Sequence, residues 1–138
     1  MKSYSFLFVF LMLLGTTNIQ AQSTTTKKEK NISTTTVEAY YFHNTRRCAT
    51  CQAVESVTKE TLEETYAEAL KNGQITFQSL NIEDKENEAI AKELEVSGQT
   101  LLFIKNGKKK DLTNDAFMYA RSNPEKLKKK IKQFIGDI

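Results

Sequence analysis

The sequence has no tryptophan, one proline, one histidine, two cysteines and five glycines. One His and two Cys cannot build a multi-Cys zinc framework, which needs four ligands. Two cysteines also exclude a disulfide-dense mini-protein, and so little Gly and Pro excludes a collagen-like repeat. Charge of one sign is scarce too. The net charge is +3, too small to argue for nucleic acid, and no window carries the aromatic signatures of RNA-binding modules. What is present is ordinary for a globular protein: 39% apolar and 27% charged residues in a chain of 138. That length suits one domain. No internal repeat is visible.

The one long apolar run lies at the start. Lys2 precedes Phe6-Leu-Phe-Val-Phe-Leu-Met-Leu-Leu14, after which Gly15 to Ala21 turns small and polar. This is the order of a secretion signal, with cleavage expected after Ala21. Nine residues rise about 14 Å as a helix, well short of the ~30 Å hydrocarbon core, so an uncleaved membrane anchor fits less well. No cysteine follows the run to carry a lipid. Residues 1–21 are therefore read as a signal peptide, and the location as periplasmic or secreted, without stable membrane insertion after cleavage. Residues 22–36 (QSTTTKKEKNISTTT) hold one large apolar residue, Ile32, and are read as a flexible lead. Asn31-Ile-Ser33 fits a short glycosylation sequon. The folded domain is expected over residues 37–138.

Within it, Val37–His43 (VEAYYFH) is β-branched and aromatic, which suits a strand buried on both faces. From Cys48 to Leu70, the residues Val54, Val57, Leu62, Tyr66 and Leu70 mark one helix face, closed by Asn72-Gly73. Ile75–Ile82 reads as a second strand whose apolar phase shifts between Phe77 and Leu80, as if helices covered both faces. Glu88–Glu95 reads as a short helix with Asn87 as its cap. Thr100–Lys105 reads as a third strand. Asn106-Gly107 is a hairpin turn, and Lys108–Thr113 returns as a polar edge strand. Asn123-Pro124 starts a last helix with an apolar stripe at Leu127, Ile131, Phe134 and Ile135, ended by Gly136. The expected order is β-α-β-α-β-β-α, an α/β fold. Residues 48–95 are acidic and residues 105–138 basic, which predicts opposite-sign faces.

The chemistry centres on Cys48-Ala49-Thr50-Cys51. The pair follows a strand and opens a long helix, the context of a redox site in an exported protein. Unpaired N–H groups at a helix start stabilise a nearby anion, and Arg46 and Arg47 add positive charge beside Cys48. Both favour thiolate, the attacking species in disulfide exchange. Cys48 is the expected nucleophile and Cys51 the resolving thiol. Three other readings stand beside this one. A structural disulfide gains little from so short a loop. A soft metal or metalloid could bind the two thiols, with His43 as a third ligand. A redox-silent adaptor would use the fold as a docking surface.

These residues together resemble the thioredoxin superfamily from Val37 onward. The strand followed by Cys48-Ala-Thr-Cys51 resembles the family's active-site turn. Phe77-Gln-Ser-Leu-Asn-Ile-Glu-Asp84 resembles the next strand, and Thr100-Leu-Leu-Phe-Ile-Lys-Asn-Gly107 the strand and hairpin that follow. In size the chain is similar to exported CcdA-linked and arsenic-operon thioredoxin-like proteins of bacteria. The resemblance implies a minimal thioredoxin fold, a mixed four-stranded sheet with helices on both faces. It implies thiol–disulfide exchange without a cofactor, on a specific protein thiol or disulfide partner, with a membrane thiol-electron transporter as a source of electrons. Three positions depart from the family pattern. The site reads Arg-Cys-Ala-Thr-Cys where thioredoxin has Trp-Cys-Gly-Pro-Cys. The family's cis-proline falls on Gln99, next to Thr100, which makes these two candidate tuning or docking residues. The buried Asp of thioredoxin has no counterpart near Phe42. The lysine-rich edge strand argues for a monomer.

Overall fold

The computed structural model describes residues 36–136 and residue 138. The expected signal peptide, nearly all of the lead and the Asn31 sequon lie outside the described residues. The elements run β1 (Val37–His43), α1 (Ala49–Thr65), α2 (Ala67–Lys71), β2 (Ile75–Asn81), a 3₁₀ turn (Lys85–Asn87), α3 (Glu88–Glu93), β3 (Thr100–Lys105), β4 (Lys108–Asp111), α4 (Thr113–Tyr119) and α5 (Pro124–Ile135). The sheet has the order β2-β1-β3-β4. β1 runs parallel to β2 and antiparallel to β3, and β4 pairs back onto β3. The mixed four-stranded α/β architecture is the one expected.

Alternation along β1 builds the two cores. Val37, Ala39 and Tyr41 face one side with Val54, Leu62, Leu101, Phe103, Leu127 and Ile131, so α1 and α5 cover that face. Tyr40 and Phe42 face the other with Leu102 and Ala91, under α3. β2 divides in the same way. Phe77 packs with the first cluster and Leu80 with the second, which is the phase shift read from the sequence. β4 is an exposed edge strand, as its lysines predict. No helix among the described residues is long and apolar enough to cross a membrane.

Four boundaries differ from expectation. The helix from Cys48 breaks at Tyr66, which leaves helical geometry and donates its hydroxyl to the Gly136 carbonyl at 3.2 Å. The edge strand stops at Asp111 rather than Thr113. The Asp111 carboxylate accepts the Thr113 N–H at 2.7 Å, and Thr113 Oγ1 accepts the Leu101 N–H at 3.0 Å, so the pair turns the chain into α4. That helix was not expected; its signal is the fourfold spacing of Leu112, Ala116 and Ala120, all buried. α3 ends at Glu93, and Glu95 adopts a left-handed φ of 62° while Val96 N–H bonds back to Ala91 at 2.8 Å. β2 ends one residue early, at Asn81. Asn87 precedes α3 but does not cap it. Its amide donates to the Asn81 carbonyl at 2.9 Å instead.

Part of the charge asymmetry is used within the fold. Lys128 of basic α5 is buried against α1, where its ammonium meets Glu60 at 3.0 Å and Glu64 at 3.2 Å.

Candidate functional site

The site forms where β1 runs into α1. Cys48 is extended (φ −85°, ψ 166°) and is the N-cap of α1, its sulfur accepting the Cys51 N–H at 3.3 Å. A cysteine can cap because its sulfur reaches the first free N–H groups of the helix, the role an oxygen side chain usually fills. Cys48 is exposed and Cys51 buried, and both are free thiols. The exposure follows from helix geometry. Cys48 stands at the lip of the helix, whereas Cys51 sits one turn in, on the face that carries Val54 and Leu62.

The two sulfurs have opposite acidities. The Cys51 thiol and then the Cys51 and Thr50 N–H groups donate toward Cys48 and hold it below the ordinary thiol value. Burial, and then the bond to Cys48, push Cys51 up. Cys51 Sγ also donates to Gln99 Oε1 at 3.1 Å. A thiol has one proton, so Cys48 and Gln99 compete for it.

Beneath the pair lies a polar cluster. Tyr41 is fully buried and donates its hydroxyl to the Cys51 carbonyl at 3.0 Å, fixing the first turn of α1 to β1. Burial, and then the neighbouring Cys51, push the Tyr41 phenol up, while Arg47 acts in the opposite direction. The phenol is thus a fixed donor and not a base. Arg47 lies over the Tyr41 ring, 5.7 Å from its centroid, and pairs with Glu55. Burial opposes ionisation of Glu55, but Ser79 and Arg47 more than offset it and hold the carboxyl below its usual range. Ser79 Oγ, Arg47 Nε and Arg47 Nη2 are buried without a well-formed hydrogen bond, so Arg47 meets Glu55 as a charge contact.

Each residue singled out from the sequence can now be placed. Cys48, Cys51 and Gln99 come together, although Gln99 is 48 residues from Cys51 in the chain. Thr100 begins β3 opposite Phe42, and its hydroxyl donates to the Gly98 carbonyl at 3.1 Å, which shapes the segment carrying Gln99. Arg46 is exposed in the turn. The Arg47 guanidinium is held on Glu55 and Tyr41, and the leading causes of the Cys48 shift are hydrogen bonds rather than arginine charge. His43 points Nδ1 at the Asn44 carbonyl, 3.0 Å away. No cluster of three His, Cys, Asp or Glu side chains placed for one metal ion occurs among the described residues.

Sequence reasoning missed Tyr41, Glu55, Asn81 and Glu83. The last two hold the turn before Cys48 from outside. Glu83 accepts the Thr45 N–H at 3.0 Å, and the Asn81 amide donates to the Thr45 hydroxyl at 2.9 Å. For Glu55 a signal existed: it lies four residues after Cys51, on the same side of the helix. For Asn81 and Glu83 none did, because their partner lies more than 35 residues away.

Comparison with models of known protein families finds no match, and a search of curated proteins finds none. Among solved structures, the chain is similar to thioredoxin O2 from Arabidopsis thaliana in its oxidized state, at 22% identity over 73% of this chain and 76% of that one, with a TM-score of 0.51. A structure described as that of a malarial protein is similar at 19% identity over 68% of this chain and 96% of that one, with a TM-score of 0.43. The class of fold is therefore thioredoxin-like. In particular it is the minimal form, with the cysteine pair at the start of the first helix.

Proposed function

We propose that the chain is an exported thiol–disulfide oxidoreductase that works through Cys48 and Cys51. The observation that carries this reading is the asymmetry of the pair. An exposed, acidified Cys48 caps the helix, and a buried, less acidic Cys51 waits one turn behind it. In the reducing direction, Cys48 thiolate attacks one sulfur of a partner disulfide. A mixed disulfide forms and the first partner sulfur leaves as thiolate. Cys51 then attacks Cys48 Sγ as its proton passes to the departing sulfur, which releases the second partner sulfur as a thiol and leaves a Cys48–Cys51 disulfide. Two electrons pass to the partner. The reverse sequence oxidises a dithiol, and the reduction potential of the pair decides between the two.

Export is supported by the basic start and apolar run of residues 1–21, and the domain by the elements from Val37 onward. The partner is a protein thiol or disulfide. A membrane thiol-electron transporter as electron source, and kinship with CcdA-linked or arsenic-operon thioredoxin-like proteins, rest on size and motif resemblance. The departures at Gln99 and Arg47 favour a dedicated partner over general peptide substrates.

The test is alkylation of the reduced protein across pH, followed by equilibration in glutathione buffers. Cys48 is expected to alkylate first, with a midpoint below the ~8.5 of a free thiol. The pair is expected to reach a reversible dithiol–disulfide equilibrium. Two thiols that both titrate near 8.5, or a pair that never exchanges, would sink the reading.

A further inference from the structure

We propose that Gln99 is a positioning residue for the resolving thiol: its side-chain oxygen accepts the single Cys51 proton, draws it away from Cys48 and stabilises the reduced pair. The inference rests on the dithiol reading above and adds a device that sets its poise.

Cys51 is 2% exposed, so its S–H has almost no access to water and needs a protein acceptor. Gln99 Oε1 is 3.1 Å from Cys51 Sγ. Gln99 immediately precedes β3, whose first residue pairs with Phe42 of β1, and the Thr100 hydroxyl ties that residue to Gly98. The acceptor is therefore carried on a held segment rather than on a loose loop. A proline or an aliphatic side chain at this position has no atom that could accept the proton.

The chemistry follows from proton count. In the reduced protein Cys51 carries one proton, and two acceptors face it, Gln99 Oε1 and Cys48 Sγ. In the disulfide there is no S–H, so the bond to Gln99 exists only in the reduced form. A hydrogen bond present in one redox state alone stabilises that state and raises the reduction potential. While the proton lies toward Gln99 it does not help Cys48 ionise. The bond therefore favours the fully protonated dithiol over the form with Cys48 as thiolate. Tyr41 of β1 bonds the Cys51 carbonyl, and around Tyr41 stand His43 of β1, Arg47 of the turn and, paired with Arg47, Glu55 of α1. A change at Gln99 leaves their charges in place.

The test compares wild type, Gln99→Met and Gln99→Glu. Methionine keeps the length of the side chain and replaces the amide oxygen with a thioether, a much weaker acceptor. The readouts are the acidity of Cys48, followed by ultraviolet thiolate absorbance, and the equilibrium with glutathione. In Gln99→Met the Cys48 pKa should fall. The equilibrium should move toward disulfide by about three- to tenfold, the worth of a modest hydrogen bond. Tenfold corresponds to about 30 mV for this two-electron couple. In Gln99→Glu the acceptor remains and a negative charge is added, so the Cys48 pKa should rise above wild type. Unchanged acidity and unchanged equilibrium in Gln99→Met overturn the proposal. So does a rise of Cys48 toward an ordinary thiol in that variant, which marks a loosened site. Failure of the wild-type pair to equilibrate overturns the oxidoreductase reading instead, and the order of Cys48 acidities across the three proteins still decides the role of Gln99.

Discussion

At the scale of single residues, the site works by unequal treatment of two identical side chains. Cys48 receives N–H donors and stands in solvent; Cys51 is enclosed and keeps its proton. The floor beneath them holds one buried-side charge pair, Arg47–Glu55, with side chains 23% and 26% exposed. The carboxyl of Glu55 is held below its usual range, so folding binds it best when ionised. Such a group adds stability above the unfolded carboxylate pKa of ~4.3, and that stability is lost as pH falls through the lower folded value. Glu55→Gln is therefore expected to cost about 1 kcal/mol at pH 7, the upper range for a partly exposed pair. The deficit should shrink to nothing in strong acid, where the wild-type carboxyl is protonated too. Urea unfolding of both proteins across pH checks this. A deficit that stays constant down to strong acid would mean that Glu55 acts through packing and not charge.

Elements set where those residues stand. α1 is long because its buried polar residues are satisfied internally: Thr58 donates to the Val54 carbonyl at 2.7 Å and Thr61 to that of Val57 at 2.6 Å. These threonines let the helix pack closely without an apolar residue at every inward position, which is why the apolar stripe under-reports the buried face. α5 lies against α1 through Leu127 and Ile131, both fully buried. It starts as its sequence dictates, with the Asn123 side chain accepting the Lys126 N–H at 3.2 Å and Pro124 at the first turn. Ile131→Ala removes a methylene-rich side chain from the centre of this contact and is expected to cost about 2–5 kcal/mol. Thermal unfolding should move down by roughly 8 °C or more for a domain of this size. Met118, 60% exposed on α4, is the contrasting position; Met118→Ala should stay within about 0.5 kcal/mol of wild type. Equal losses at both positions would contradict the placement of the core.

At the scale of the whole molecule, the sheet brings the end of β1, the start of α1 and the start of β3 to one end of its central strands, and the site lies there. Among the described residues, two core clusters span β1 to α5. A chain that begins at residue 36 is therefore expected to unfold in a single cooperative transition at the same midpoint as the full sequence. Calorimetry on the two chains checks this. A clearly lower midpoint in the shorter chain would show that residues before 36 stabilise the fold.

The sequence by itself determined β1 and β3 to the residue, the edge character of β4, the hairpin at Asn106-Gly107, the start of α5 and the position of the cysteine pair. These features depend on side-chain alternation, turn chemistry and capping, which act between residues close in the chain. Local signals also placed Cys48 at the helix lip and Cys51 inside. Only the tertiary structure decided the rest. It broke the first helix at Tyr66, because the partner hydroxyl acceptor, Gly136, is 70 residues away. It drew Arg47 onto Glu55 and Tyr41, where the sequence had suggested a neighbour for the Cys48 thiolate. It set the Gln99 carboxamide against the Cys51 sulfur. Each of these contacts joins groups that chain order leaves apart, and a proton shared among Cys51, Cys48 and Gln99 has no local signature. It follows from distance and burial, which exist only once the sheet has formed.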